Sequence, residues 1–154
     1  MTEEHPARSG PDRLESDRPE TVTLSIPART RHAATARVVA ASLAADLGFD
    51  VDAIDDLRLG VNEAVALVLD GPADADRPTT RDRNGDHATG TLDITFTIEN
   101  TIENTRIGIE ISHAGSSADV EFDELADRIL SVVVDHHSHS AGVVRLVKSL
   151  RDAS

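Results

Sequence analysis

The chain of 154 residues, 39% of them hydrophobic, has the length of one domain with enough apolar surface for a core, and it has no Cys to staple one. Its only aromatic residues are Phe49, Phe96 and Phe122, which excludes a stacking platform built from Trp or Tyr. A formal charge of −13 opposes phosphate backbones and anionic membranes, so neither nucleic acid nor membrane is expected as a partner, whereas a basic protein surface is.

Residues 1–20 are rich in charge, Pro, Ser and Gly, and predict a disordered tail ahead of one domain over residues 21–152. The same residues lack the apolar stretch of a secretion signal, and no segment approaches the ~20 apolar residues of a membrane-spanning helix. A cytoplasmic protein is the expectation. Thr21–Ile26 alternates, with Val22, Leu24 and Ile26 on one face, and predicts a half-buried strand stopped by Pro27. From Arg29 to Leu47 the residues Ala36, Val39, Ala40, Leu43 and Leu47 recur at helical spacing, and Gly48 supplies the stop. A second helix is predicted from an N-cap at Asp52 to Asp70-Gly71-Pro72, with Ile54, Leu57, Val61, Ala64, Val65 and Val68 as its apolar stripe.

Residues 71–90 hold no large apolar side chain and read as a long solvated loop, flexible or functional. A hairpin follows: Leu92, Ile94, Phe96 and Ile98 alternate with polar residues, and so do Ile107, Ile109 and Ile111. Between them Ile98-Glu99-Asn100-Thr101 repeats as Ile102-Glu103-Asn104-Thr105, read as an extended turn because two copies cannot build a solenoid. His113–Glu121 predicts a loop and Phe122–Leu130 a short helix with Phe122, Leu125, Ala126 and Ile129 on its core face. Val132, Val133 and Val134 predict a strand over Ser131–His137, Ser138–Gly142 a turn, and Val143–Leu150 a closing strand. On the apolar face of that strand, shared by Val144, Leu146 and Leu150, Lys148 is the only charged interruption. The order β-α-α-β-β-α-β-β predicts an α/β (α+β) fold: a two-layer sandwich of a mostly antiparallel sheet covered by three helices.

The segment Val22–Ala28, the first helix, Gly48-Phe49 and above all the run Asp55-Asp56-Leu57-Arg58-Leu59-Gly60-Val61-Asn62-Glu63-Ala64 resemble the anti-sigma-factor serine kinases. That family belongs to the ATPase superfamily shared by gyrase, heat-shock chaperones and histidine kinases. The resemblance spans residues 21–150 in element order and is specific over residues 22–70. It implies a histidine-kinase-type ATPase fold, ATP and Mg as cofactors, and Glu63 as the general base that activates a hydroxyl. It also implies a sigma factor and an anti-anti-sigma protein as partners, and a homodimer that a sheet edge or the first helix could form.

The chain departs from the family pattern at three places. A metal-binding Asn belongs four residues after the Glu, because i and i+4 share a helix face. Leu67 stands there, with no lone pair for a hard cation. Asn62 is no substitute, since it lies about 100° round the helix from Glu63. At the second place, Gly115 keeps the adenine-binding turn but His113 replaces its Asp, and a neutral imidazole is a poor carboxylate mimic. At the third, the Gly-rich phosphate segment becomes Glu121-Phe122-Asp123-Glu124-Leu125, with no Gly and three carboxylates where phosphates would approach.

The expectation is therefore an anti-sigma regulatory factor acting by partner switching, an exchange of mutually exclusive complexes, with no cofactor held. ATP and Mg enter only under the alternative, an active ATP-dependent serine/threonine kinase that phosphorylates its antagonist with Glu63 as base. Glu63 read alone, with no metal ligand beside it, is better read as a solvated or edge-buried helix carboxylate than as a relic general base. Asp135-His136-His137-Ser138-His139 has metal-ligand chemistry, but adjacent strand residues face opposite ways, leaving only His137 and His139 to converge; a solvated hairpin end is expected and no metal site. Ser116-Ser117 reads as a polar loop.

Overall fold

The computed structural model describes residues 18–70, 90–114 and 120–151. The expected tail before residue 18, the loop over 71–89, Gly115 and Ser116-Ser117 lie outside the described residues. The chain order is β1 (Glu20–Pro27), a 3-10 turn (Thr30–His32), α1 (Ala33–Asp46), α2 (Val51–Leu69), β2 (Thr91–Asn100), β3 (Thr105–Ala114), α3 (Glu124–Val133), β4 (His136–Ser140) and β5 (Val143–Ser149). The strands form one sheet in the order β1-β2-β3-β5-β4, every neighbouring pair antiparallel.

Two-residue alternation sorts the sheet into a dry and a wet face. Val22, Phe96, Ile109 and Leu146 stand in one cross-strand row, and Leu24, Ile94, Ile111 and Val144 in the next. In these rows the β2, β3 and β5 side chains are fully buried, while Val22 and Leu24 on the edge strand are half-buried. The opposite face is polar: Thr23 stands opposite Thr95, Ser25 Oγ donates to Asp93 at 2.6 Å, and Arg145 Nε donates to Glu110 at 2.7 Å. The helices cover only the dry face. Helix α2 packs on β3 and β5, with α1 along one flank and α3 along the other.

The helix ends follow local chemistry. Helix α1 begins after the 3-10 turn, later than Arg29. It closes in a Schellman motif: Gly48 at φ +85° lets its own N–H reach Ala45 O and that of Phe49 reach Ala44 O, both at 3.0 Å. Helix α2 is capped by Asp50, not Asp52: the Asp50 carboxylate accepts from Ala53 N at 2.7 Å, leaving Asp52 in the first turn. The repeat between β2 and β3 makes a closed tip, where the Thr101 hydroxyl donates to Asn104 O at 3.0 Å and that of Thr105 to Asn100 Oδ1 at 2.8 Å. A four-residue repeat adds an even number of residues, so it keeps every side chain on its proper face.

The expected boundaries fail between His113 and Gly142. His113 belongs to β3, opposite Leu92, and not to a loop. Helix α3 starts at Glu124 and runs through Ser131–Val133, which β-branched composition had assigned to a strand. Its buried stripe is Ala126, Leu130 and Val133, whereas Leu125 is 67% exposed. The strand is His136–Ser140, a polar edge strand paired with β5. Its connection is the two-residue turn Ala141-Gly142, at φ +51° and +74°, the positive pair a type I′ hairpin requires. Lys148 points to the helix side of β5. Its ammonium donates to Val133 O at 2.7 Å, at the negative end of α3, and to Asp56 at 3.2 Å.

Two substitutions test this packing. A Cβ at Gly60 would stand 3.1 Å from Val134 Cγ1 and 3.4 Å from Val133 Cγ2, so Gly60→Val should destabilise the fold by about 2 kcal/mol in urea unfolding. Burial pushes the Asp135 carboxyl up. The amide of Ser149, the guanidinium of Arg151 and the charge of Lys148 outweigh it and hold the group below the usual carboxylate range. A depressed folded-state pKa stabilises above the unfolded value, and that contribution is lost as pH falls through the folded one. Asp135→Asn should cost about 1 kcal/mol at neutral pH. Its deficit should shrink below pH ~4 as the native carboxyl protonates, read from urea curves at both pH values.

Candidate functional site

Because α2 advances about 100° per residue, its buried stripe dictates what its flanks display. Leu57, Val61, Ala64, Val65 and Val68 are buried in the core. Asn62 falls on the α1 flank, where its Oδ1 accepts from Arg37 at 2.6 Å. Glu63, Ala66, Leu67 and Asp70, spaced i, i+3, i+4 and i+7, fall on the α3 flank. There they meet Glu121, Asp123, Leu125 and Ala126 across a cleft of about 370 Å³.

The second wall is set by the start of α3. Asp123 is the N-cap and accepts from Ala126 N at 2.7 Å. Glu124 turns away and pairs with Arg128 at 2.8 Å on the surface. The cleft thus holds the carboxylates Glu63, Asp70, Glu121 and Asp123, and among the described residues neither Lys nor Arg lines it. Among the described residues, Glu63, Asp70 and Glu121 make no side-chain hydrogen bond or ion pair. A hollow of similar volume at the other end of α2 differs in this respect. Its cations are matched internally, Lys148 to Asp56 at 3.2 Å and Arg151 to Asp135 at 2.9 Å. The first cleft presents its acids beside apolar walls with no cation among its described lining residues.

The residues present do not fit Mg-ATP. Leu67 offers a hydrocarbon branch at the position one turn beyond Glu63. Among the described residues, no group of three or more His, Asp or Glu side chains could hold a metal ion together. The approach to the α3 N-terminus has no Gly between residues 120 and 126, and the first-turn N–H of Ala126 is already taken by the Asp123 carboxylate.

Of the residues singled out in the sequence, the fold brings Glu63, Leu67, Glu121 and Asp123 together, but not His113. That residue sits half-buried near the end of β3 and does not line the cleft. Asn62 and Glu63 diverge, as their angular separation requires. His137 and His139 do share the helix side of β4, but what they meet is Phe122, at ring-centroid distances of 5.6 and 4.4 Å. His137 Nε2 also lies 2.8 Å from Asp127 Oδ1, so this cluster fastens α3 to the sheet edge. Sequence reasoning missed Asp70 and Leu125 as cleft residues. Asp70 was within reach, at seven residues from Glu63 on the same face; Leu125 was hidden by its assignment to the core.

No helix among the described residues is long and apolar enough to cross a membrane. No family model matches the sequence, and no curated protein matches it. In three dimensions the chain is similar to the crystal structure of the RsbU and RsbW domains of Rv1364c from Mycobacterium tuberculosis, with a TM-score of 0.52 at 16% sequence identity. The match covers 86% of this chain and 32% of that one, so the chain spans about a third of that structure's length. At this identity the likeness shows a shared α+β fold: three helices on a five-stranded antiparallel sheet, as in a structure that contains an RsbW domain.

Proposed function

We propose that the chain is an anti-sigma regulatory factor that works by partner switching, binding a sigma factor and an anti-anti-sigma antagonist in mutually exclusive complexes. One observation carries this reading: the cleft beside Glu63, where the sequence resemblance implies a nucleotide site, is walled by leucine and by carboxylates without cation partners among the described residues, which suit protein contact and oppose a triphosphate. The shared fold supports it, since the matched structure includes an RsbW domain. The charge of −13 supports it too, by steering a basic protein surface and repelling nucleic acid.

The competing reading is the active serine/threonine kinase, with Glu63 as base. The two part at the nucleotide. Isothermal titration with millimolar Mg-ATP should give no binding heat. An affinity pull-down from the native host should return a sigma factor, identified by mass spectrometry, to the same extent with and without Mg-ATP. Saturable Mg-ATP binding, with phosphate transfer to a co-purified antagonist that Glu63→Gln abolishes, would establish the kinase instead.

A further inference from the structure

We propose that the groove between α2 and the start of α3 docks a partner segment that carries an arginine or lysine beside a leucine-like side chain. The cation would lie among Glu63, Asp70 and Glu121, and the apolar group against Leu67 and Leu125. This rests on the reading of the chain as a protein-binding regulator and adds the surface and the partner's chemistry.

The groove is apolar before it is acidic. Ala66 and Leu67 from one helix face Leu125 and Ala126 from the other. Leu125 is 67% exposed, outside the helix's buried stripe of Ala126, Leu130 and Val133, and it is the exposed apolar side chain of α3 that lines the groove. A helix gains nothing for its own packing from a leucine in that position, and an exposed leucine beside a cleft is what a docking surface needs. Its volume of about 370 Å³ is at the small end for binding pockets and suits a few side chains, not a whole helix.

Charge complementarity fixes the class of occupant. Several carboxylates elsewhere find cations within the chain, Glu99 with Arg106, Glu110 with Arg145, Glu124 with Arg128 and Asp135 with Arg151, while among the described residues the exposed Glu20, Asp46, Asp52 and Glu103 do not. Glu63, Asp70 and Glu121 have no such partner among the described residues, although 15 Lys and Arg were available to the sequence. The acids are also dispersed. No three could share one metal ion, so a small cation cannot satisfy them together. A guanidinium or ammonium on a flexible apolar stem can, because its stem lies along leucine while its head reaches separate carboxylates.

The probe is a short helical peptide with Leu and Arg on one face, set against a counterpart in which every Arg is Glu. Binding is followed by fluorescence anisotropy and by amide chemical shifts of the native chain. The Arg peptide should bind and the Glu peptide should not, with shifts concentrated at residues 63–70 and 121–126. The triple variant E63Q/D70N/E121Q should weaken binding about tenfold or more, while E20Q/D46N/E103Q, which removes equal charge elsewhere, stays within about twofold. Leu125→Ser should weaken it as well. Equal losses in the two triple variants, or shifts that map away from the groove, overturn the proposal, and the second readout needs no variant to fold. Peptide seated in the groove with no sigma factor in the pull-down would keep the groove and remove the function proposed above. A sigma factor captured undiminished by the cleft variant would do the reverse.

Discussion

The seating of α2 on the sheet determines almost everything else in this molecule. Five side chains between Leu57 and Val68 are buried at 5% exposure or less. Withdrawing Leu57 or any of the three valines costs about 1.5–3 kcal/mol, so the helix has no freedom to rotate. Once that face is fixed, Gly60 must lie under Val133 and Val134, Asn62 must turn to Arg37 on α1, and Glu63, Leu67 and Asp70 must share the third flank. The cleft is a geometric by-product of core packing, and its chemistry depends on which side chains happen to occupy that flank.

Its opposite wall is held from behind at several points. The N-terminus of α3 is capped by Asp123, and Phe122 just before it rests on His137 and His139 of β4. The C-terminal carbonyl of Val133 is held by Lys148, whose side chain is only 12% exposed. A lysine on the apolar face of β5 looks out of place until the helix end above it is considered. There its ammonium satisfies a carbonyl left without an intrahelical partner and pairs with Asp56, so the charge is compensated where it is buried. With both ends of α3 tied, Glu121 and Leu125 are presented on a fixed wall, not on a fraying turn.

The sheet was legible in the sequence because two-residue alternation is an unambiguous signal wherever one face is dry: the pattern of Leu92 to Ile98 and of Ile107 to Ile111 became buried strands in full. The first two helices were legible for the same reason at a period of 3.6. The errors came where two signals conflicted. Val132, Val133 and Val134 favour a strand by composition, but Ala126, Leu130 and Val133 already continue a helical stripe, and burial of that stripe outweighs β propensity. The true strand, His136–Ser140, has no apolar pattern because it lies at the sheet edge and owes its conformation to pairing with β5. In the cleft, Glu63 and Leu67 could be set on one face from spacing alone, but Leu125 could not be told from a core residue. A leucine on a helix reads as buried until the partner surface is known.

The contrast between Leu67 and Glu63 shows how separable fold and chemistry are on such a scaffold. Position 67 is half-buried at the margin of the core, where an amide or an isobutyl group can sit without disturbing Val65 or Val68 beneath it. An amide there would place an oxygen one turn from a carboxylate and begin a cation site. The isobutyl group leaves the surrounding acids without a shared ion and converts the same wall to an apolar surface. The acids then repel one another across the cleft, a cost that water and salt reduce but do not remove. A positive group entering the cleft would relieve that repulsion. The side chain at position 67 thus bears on whether the flank can begin a metal site, and the packing that positions it is indifferent to the choice.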